Sequence, residues 1–320
     1  MVDGTAATRF RRRPPAVAAL ALVAALVAPA CSADDSDGAT ATTAAASTTT
    51  TVDLGAPAAD QTAPEGTNGL AFDADGRPWI ADLTGNQILA VDPADGSILV
   101  RLGADAGVHA PDDLAFDADG RLWWTNNEQG GIGRIDAPAA AGATSTTVAE
   151  VGPGANPIAV APDGSIYVAR ALQADQLLRI DPDSGAATVV SDPAGQLNGF
   201  AFGPDGVLYA PRFIEDGGRV SAIDPETGTA RDIVGGLPLT VAVAVAPDGT
   251  LAAITASPVT LHLIDREMGA MMHSLDLPGP VADNLAYDAA GHLWVSSFDQ
   301  ALVWRVDSME GEPASVAIGA

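Results

Sequence analysis

Five of six equivalent positions in a repeated phrase carry a side-chain oxygen. Each position stands directly before a short apolar run, as in Asn68-Gly-Leu-Ala-Phe, and successive positions are 44, 44, 42, 43 and 42 residues apart. Carboxylate and amide oxygens that converge on one point suit a hard divalent cation, Ca²⁺ before Mg²⁺. The alternative is a polar channel filled with ordered water, because Asn and Asp are also common turn residues. The six positions are Asn68, Asp112, Asn156, Asn198, Val241 and Asp283, and the residues that follow two of them, Asp113 and Asn284, are further candidate ligands.

A second set of polar residues closes the next apolar run of each repeat. It comprises Asp82, Asn126, Arg170, Arg212, Thr255 and Ser297. Arg170 and Arg212 come from neighbouring repeats, and two guanidinium groups at one site would bind a carboxylate or phosphate of a small-molecule substrate. We predict that Asn126 belongs to the same substrate-binding set. The alternative for the two arginines is ordinary ion pairing at the surface.

Two further residues are candidates for acid and base. Glu65 and His109 each lie three residues before a position of the first set, in neighbouring repeats. A carboxylate and an imidazole at one opening can transfer protons to and from a substrate. Acidic turns such as Asp73-Ala-Asp-Gly invite a calcium-loop interpretation, but they lack the distal Glu of an EF-hand and are predicted to be hairpin turns.

The elements that must position these residues are six copies of a unit of about 43 residues. Each unit holds four short runs rich in Val, Ile and aromatic residues, separated by Asp-Gly and Pro-Asp turns, which is typical of antiparallel strands. Six such units predict an all-β, six-bladed β-propeller with four antiparallel strands per blade. An open solenoid would need distinct capping repeats, and the first and last copies are ordinary. Because the first strand of each blade lines the channel, the first set is predicted to ring its upper mouth.

The N-terminal residues predict export and lipidation. Arg9 and the run Arg11-Arg12-Arg13 precede apolar residues 16–27, which are too few for a spanning helix of about 20 residues. The single cysteine, Cys31, follows Ala-Pro-Ala where a bacterial lipoprotein is cleaved and acylated. The predicted organisation is a signal peptide over 1–30, the lipidated Cys31 with a disordered Ala/Thr/Ser-rich tether over 31–62, and the propeller over 63–320. We therefore expect an extracytoplasmic protein that meets the membrane only through its lipid anchor.

The charge of the chain restricts its partners. The formal net charge is −26, and all 15 basic residues are Arg. No basic cluster is available to neutralise phosphates, which excludes nucleic acid as a partner. A cation or a small solute suits this charge better, and we expect a monomer.

Three segments resemble the calcium-dependent six-bladed propellers of the senescence marker protein and gluconolactonase family, to which paraoxonases and strictosidine synthases are related. Asn198-Gly-Phe, before a Pro-Asp-Gly turn, is similar to a family phrase whose Asn is a calcium ligand. Asp283-Asn-Leu resembles the paraoxonase Asp-Asn ligand pair and the gluconolactonase segment whose Asp binds the metal and acts as base. Asp112-Asp-Leu resembles a further paraoxonase ligand segment. The family's first-blade Glu ligand maps onto Asn68, with Glu65 nearby, and the catalytic His pair of paraoxonases has no clear match.

The resemblance implies a calcium-dependent hydrolase of a lactone or similar ester, in which the metal polarises the carbonyl while Asp283 or His109 activates water. A non-catalytic NHL-type propeller that binds a ligand or protein at the same face is the main alternative. Preserved metal binding without ester or lactone turnover would distinguish it. A streptogramin lyase-like enzyme is a further alternative, but that group has seven blades and uses histidines, whereas this chain has six repeats and four His.

Overall fold

Twenty-four short strands form six four-stranded antiparallel sheets in the computed structural model, which describes residues 57–213 and 217–319. The predicted six-bladed β-propeller is confirmed, with one 3₁₀ turn at Ala104–Ala106 between the first two blades. Blades one to three are β1 (Leu70–Phe72) to β4 (Ile98–Leu102) with β2 (Pro78–Asp82) and β3 (Gln87–Val91), then β5 (Pro111–Phe116), β6 (Leu122–Asn126), β7 (Gly131–Ile135) and β8 (Thr146–Glu150), then β9 (Ile158–Val160), β10 (Ile166–Ala169), β11 (Leu177–Ile180) and β12 (Ala187–Ser191).

Blades four to six follow in the same order and repeat the same hairpin connections. They are β13 (Ala201–Phe202), β14 (Leu208–Arg212), β15 (Arg219–Ile223) and β16 (Ala230–Gly235), then β17 (Thr240–Val245), β18 (Leu251–Ala256), β19 (Val259–Asp265) and β20 (Ala270–Asp276), then β21 (Leu285–Tyr287), β22 (Leu293–Ser296), β23 (Leu302–Val306) and β24 (Ala314–Ala317). Every blade is therefore built from one continuous stretch of chain.

The acidic turns join the first two strands of each blade and are held by their own side chains. Asp73 Oδ1 accepts the backbone N–H groups of Asp75 and Arg77, both at 3.0 Å. Its Oδ2 accepts Trp79 Nε1–H at 2.8 Å and the Arg77 guanidinium at 2.6 Å. Gly76 closes the turn with a φ of 81°, a left-handed conformation that favours glycine. These contacts use both oxygens of Asp73, so the turn stabilises a hairpin as predicted.

The core lies between blades, because each sheet packs both faces against its neighbours. Aromatic side chains from strand one of one blade meet those from strand two of the preceding blade edge to face. The ring centroids of Trp79 and Phe116 are 5.8 Å apart, and those of Tyr167 and Phe202 are 5.2 Å apart. This repeated packing holds the first strands around the channel at a fixed spacing.

The first and last blades close the ring by direct contact. Thr67 lies immediately before the mouth position of blade one and is fully buried. Its Oγ1 accepts the Ser297 N–H at 2.7 Å, and its own N–H donates to the Ser297 carbonyl at 3.0 Å. At the outer edge, the Gly319 N–H donates to the Gly96 carbonyl at 3.0 Å. Closure therefore needs no strand exchanged between blades.

The predicted signal peptide, Cys31 and tether residues up to 56 lie outside the described residues. Within the predicted tether, residues 57–62 contact the outer strand of blade one. The Ala58 N–H donates to the Ile98 carbonyl at 2.6 Å, and Gln61 Oε1 accepts the Ile98 N–H at 2.8 Å. Across the two described ranges, no helix is long and apolar enough to cross a membrane.

Candidate functional site

The upper mouth of the channel brings the residues of the first predicted set close together. Asn68 and Asp112 are buried, and Asn156, Asn198 and Asp283 are only partly exposed. Neighbouring blades touch at this level, since the Gly69 N–H donates to the Asp112 carbonyl at 2.8 Å. The ends of the first strands therefore sit side by side around the axis.

Three carboxyl groups from two blades form the charged part of the mouth. Burial, followed by the charges of Asp283 and Asp113, holds the pKa of Asp112 well above its usual range. Burial and the charge of Asp113 raise the pKa of Asp283 to about 7. Burial likewise raises the pKa of Asp113 to about 6, although three hydrogen bonds oppose this. No Arg or His charge contributes to these shifts, so the cluster lacks a compensating cation from the described protein.

The two outer carboxyl groups of this cluster remain available to a ligand. Asn127 Nδ2 donates to Asp112 Oδ2, which leaves Asp112 Oδ1 without a hydrogen bond from the described residues. The Asp283 carboxylate accepts no hydrogen bond from a protein group within the described ranges, and only its backbone N–H is engaged, with the Ser296 carbonyl at 3.2 Å. Asn127 was not among the predicted site residues, although it directly follows Asn126, the last residue of β6.

Asp113 and Asn284 form a second layer just below the mouth. Asn284 Nδ2 donates to Asp113 Oδ1 at 2.7 Å, and Asp113 Oδ2 accepts the Ile158 N–H at 3.0 Å. Asn284 Oδ1 accepts the Leu285 N–H at 2.8 Å. These bonds join blades two, three and six across the axis. Both amide atoms of Asn284 therefore make hydrogen bonds to the protein. Its role is to hold Asp113 in place beneath the mouth.

Glycine makes this cross-channel contact possible. Gly69, in blade one, lies between the two blades that contribute Asp113 and Asn284. A Cβ at Gly69 would lie 2.5 Å from Asp113 Cα and 2.8 Å from Asp113 Oδ1. The glycine that follows Asn68 is therefore required for steric reasons, which the repeat alone does not predict.

On the other side of the mouth, two amide side chains meet. Asn156 Nδ2 donates to Asn198 Oδ1 at 3.3 Å. Asn68 Oδ1 accepts the Leu83 N–H at a long 3.4 Å. Amide oxygens at these three positions would complete an oxygen-rich ring with Asp112 and Asp283.

The second predicted set is turned toward its own loops. Asp82 is fully buried and accepts the Gly85 N–H at 2.8 Å and Gln87 Nε2–H at 2.7 Å, and Asn126 Oδ1 accepts the Gln129 N–H at 2.9 Å. These contacts cap the hairpins between strands two and three.

The two arginines of this set contact backbone carbonyls of the loops that enter their blades. Arg170 Nε donates to the Pro153 carbonyl at 3.3 Å, and an Arg212 Nη donates to the Ala194 carbonyl at 3.3 Å. Both side chains are partly exposed. Their predicted substrate-binding role, like that of Asn126, stays a prediction.

Glu65 and His109 both lie on exposed loops of the upper side. The Glu65 backbone N–H donates to Asp82 Oδ2 at 3.1 Å, which fixes its loop and leaves its carboxylate in solvent. No hydrogen bond or ion pair joins either side chain to the carboxyl cluster in the described residues. An acid-base pair of these two groups would require the loops to bring them inward.

The chemistry of the donor set fits a hard cation. Within residues 57–213 and 217–319, no three His, Cys, Asp or Glu side chains are grouped closely enough to hold a metal ion. The mouth instead combines two available carboxylates with amide oxygens from three other blades, and Ca²⁺ accepts such mixed oxygen ligands. A bound cation would also stabilise the ionised carboxylates, whose pKa values are raised chiefly by burial.

Solved structures of known proteins share this fold. No protein-family model and no curated protein sequence matches the chain. A gluconolactonase from Xanthomonas campestris is 21% identical, with 76% of this chain and 86% of that chain covered at a TM-score of 0.62. A calcium-binding regucalcin from Agrobacterium tumefaciens is 18% identical, with 74% and 83% covered at 0.59, and a streptogramin B lyase is 17% identical, with 82% and 85% covered at 0.59. At these identities the similarity concerns the fold: the chain shares the six-bladed propeller of gluconolactonase- and regucalcin-like proteins.

Proposed function

We propose that the upper mouth binds Ca²⁺ and that the protein hydrolyses a lactone or similar ester there. The observation that carries this proposal is the cluster of Asp112, Asp113 and Asp283, where burial raises the pKa of all three carboxyl groups and neighbouring carboxylates raise those of Asp112 and Asp283 further, with no Arg or His of the described residues opposing the rise. Burying three uncompensated carboxylates is costly, and a divalent cation is the simplest group that offsets the cost. The gluconolactonase and regucalcin folds support the same class of site.

The proposed ligands are oxygen atoms at the mouth, of which Asn68 Oδ1 and Asn198 Oδ1 each accept one long hydrogen bond, at 3.4 and 3.3 Å, and keep a second lone pair. Asp112 Oδ1 and the Asp283 carboxylate supply negative charge, and the amide oxygens of Asn68, Asn156 and Asn198 complete the set. Asn284 takes the part of a positioning residue, because its amide is held by Asp113 and Leu285.

When bound, the cation supplies Lewis-acid polarisation of a substrate carbonyl. The chain's own contribution is a proton acceptor beside it. The Asp283 carboxylate accepts no hydrogen bond from a protein group within the described ranges, so one oxygen could bind the cation while the other accepts a proton from water. His109, exposed at the rim, is the second candidate acceptor.

The distance of Glu65 and His109 from the carboxyl cluster favours a competing function, a propeller that binds a ligand without catalysis. Neither side chain contacts the carboxyl cluster, so a binding propeller without catalysis, as in the NHL-type proteins, would use the same mouth. The two functions share the cation and differ in turnover.

Thermal unfolding with EDTA and then with added Ca²⁺ tests the cation. At a Ca²⁺ concentration 100 times Kd, binding stabilises the fold by about 2.7 kcal/mol, which raises Tm by roughly 5–10 °C for a domain of this size. Asp112→Asn and Asp283→Asn should abolish the increase, whereas Asp75→Asn in an exposed lower turn should retain it. A Tm indifferent to chelator and Ca²⁺ in the wild type would refute the site.

Hydrolysis is tested separately with γ- and δ-lactones and aryl acetates in the presence of Ca²⁺. Loss of turnover in His109→Ala with Ca²⁺-dependent stabilisation retained would assign the base to His109, whereas full turnover in His109→Ala would leave Asp283 as the candidate base. Calcium-dependent stabilisation with no turnover of any of these substrates would favour the binding propeller.

A further inference from the structure

The outer edge of blade five exposes three methionines within five residues. Met268 is 78% exposed, Met272 is 44% exposed and Met271 is 39% exposed. Met271 and Met272 lie on β20, the fourth strand, and Met268 lies in the turn between β19 and β20. The other outer strands in the described part of the chain contain no Met. Three exposed thioethers are therefore concentrated at β20 and the turn that precedes it, which suggests a binding role for this edge of the blade.

A β-bulge places both strand methionines on one face of the blade. His262 pairs with Ser274 and Ile264 pairs with Met271, with a register shift in between. Paired residues of antiparallel strands share a face, and residues two apart on one strand share a face. Met271 thus lies on the face of Ile264 and His262, and Met272 lies on the face of Ser274 and His262. Without the bulge, two consecutive residues would point to opposite faces.

His262 offers an imidazole nitrogen on that same face. Its Nδ1 lies 2.8 Å from Ser274 Oγ, and an Nδ1–H that donates to this hydroxyl leaves the Nε2 lone pair available. Burial lowers the pKa of His262, more strongly than the charge of Asp276 raises it, so the ring is neutral at pH 7. A second hydrogen bond that fixes the tautomer is the usual companion of a metal-binding imidazole.

We propose that His262, Met271 and Met272 bind one soft monovalent cation, Cu(I) or Ag(I), with Met268 as a further thioether from the turn. Soft thioethers select Cu(I), and imidazole is a compatible partner. Diagonal neighbours across antiparallel strands are about 7–8 Å apart at Cα, and the unbranched Met side chain has three rotatable bonds with which to close that distance. The site is independent of the channel mouth, whose oxygen donors suit hard cations instead.

Silver binding to the full-length chain tests the proposal without redox chemistry. The chain would carry Cys31→Ser, so that the thiol does not compete, and would be kept in chloride-free buffer with excess Ca²⁺ to fill the mouth. Methionine ¹³Cε-methyl spectra would follow each thioether during the titration. We expect Ag(I) to shift the methyl signals of Met271 and Met272 at one equivalent, with that of Met309, on the turn after β23, unchanged.

Matched variants separate a site from scattered thioether binding. The double variant Met271→Leu/Met272→Leu and the variant His262→Gln should each weaken Ag(I) affinity at least about tenfold by calorimetry, while Met309→Leu leaves it unchanged. Leucine preserves size and apolar character, so the double variant is expected to fold. Equal shifts at Met309 and at the β20 methionines, or wild-type affinity in the double variant, would overturn the proposal.

Discussion

Gly69→Ala is expected to disrupt the mouth by steric pressure alone. An added Cβ would lie 2.5 Å from Asp113 Cα and 2.6 Å from the Asp112 carbonyl oxygen, whereas ordinary contacts begin at 3.4 Å. Both neighbours are backbone atoms, so blades one and two must separate locally by about 1 Å. Overpacking of this kind costs about 1–3 kcal/mol, and weakening the Gly69 N–H bond to Asp112 adds about 1 kcal/mol. We therefore expect a loss of about 3 kcal/mol in the free energy of unfolding.

Urea unfolding followed by tryptophan fluorescence measures this loss, and a cost of about 3 kcal/mol also lowers Tm by roughly 6–12 °C. Gly235→Ala is the matched control, because a Cβ there meets nothing within 4 Å and the residue needs no positive φ. The control should change stability by less than about 1 kcal/mol. If Gly69→Ala proves as stable as Gly235→Ala, the close approach of the first two blades at the mouth is wrong.

Three further changes probe the charged mouth, the turns and the ring closure. In chelator, the raised pKa of Asp283, about 7, adds stability that is present below about pH 4 and is lost as pH rises through 7; Asp283→Asn should flatten this fall by on the order of a few kcal/mol in urea unfolding at pH 5 and 8. Asp73→Ala should cost about 1–3 kcal/mol by the same assay, because the buried Trp79 indole N–H loses its acceptor. Thr67→Val should cost about 1–3 kcal/mol, since the Ser297 N–H is left unpaired between the first and last blades.

Each of these has a contrary outcome. Parallel pH profiles for the wild type and Asp283→Asn would show that the Asp283 carboxyl titrates as it does in the unfolded chain. Asp75→Ala, which removes only an exposed ion pair with Arg77, is the control for the turn, and an equal cost in both variants would assign no special role to the indole bond. Wild-type stability in Thr67→Val would place ring closure in the apolar contacts instead.

The architecture could be predicted from the sequence alone because each repeat contains all the residues that form its own blade. Each unit holds its own strands and turn residues, and Gly76 and its equivalents close every first hairpin in the same conformation. Since each blade forms from a continuous stretch of chain, its pairing could be derived from spacing without knowledge of distant contacts. The repeat also put Asn68, Asp112, Asn156, Asn198 and Asp283 at one structural position.

Only the tertiary structure decided how those side chains use their atoms. The repeat places both Asp82 and Asp283 near the upper side. The Asp82 carboxylate accepts hydrogen bonds from its own hairpin, whereas the Asp283 carboxylate accepts none from the described protein. The hydrogen bond between Asp113 and Asn284 joins residues 171 positions apart. It forms because Gly69, in a third blade, has no side chain to block it. Such contacts depend on the angle between blades and on the space between neighbouring side chains. Neither quantity can be predicted from the pattern of residues along the chain.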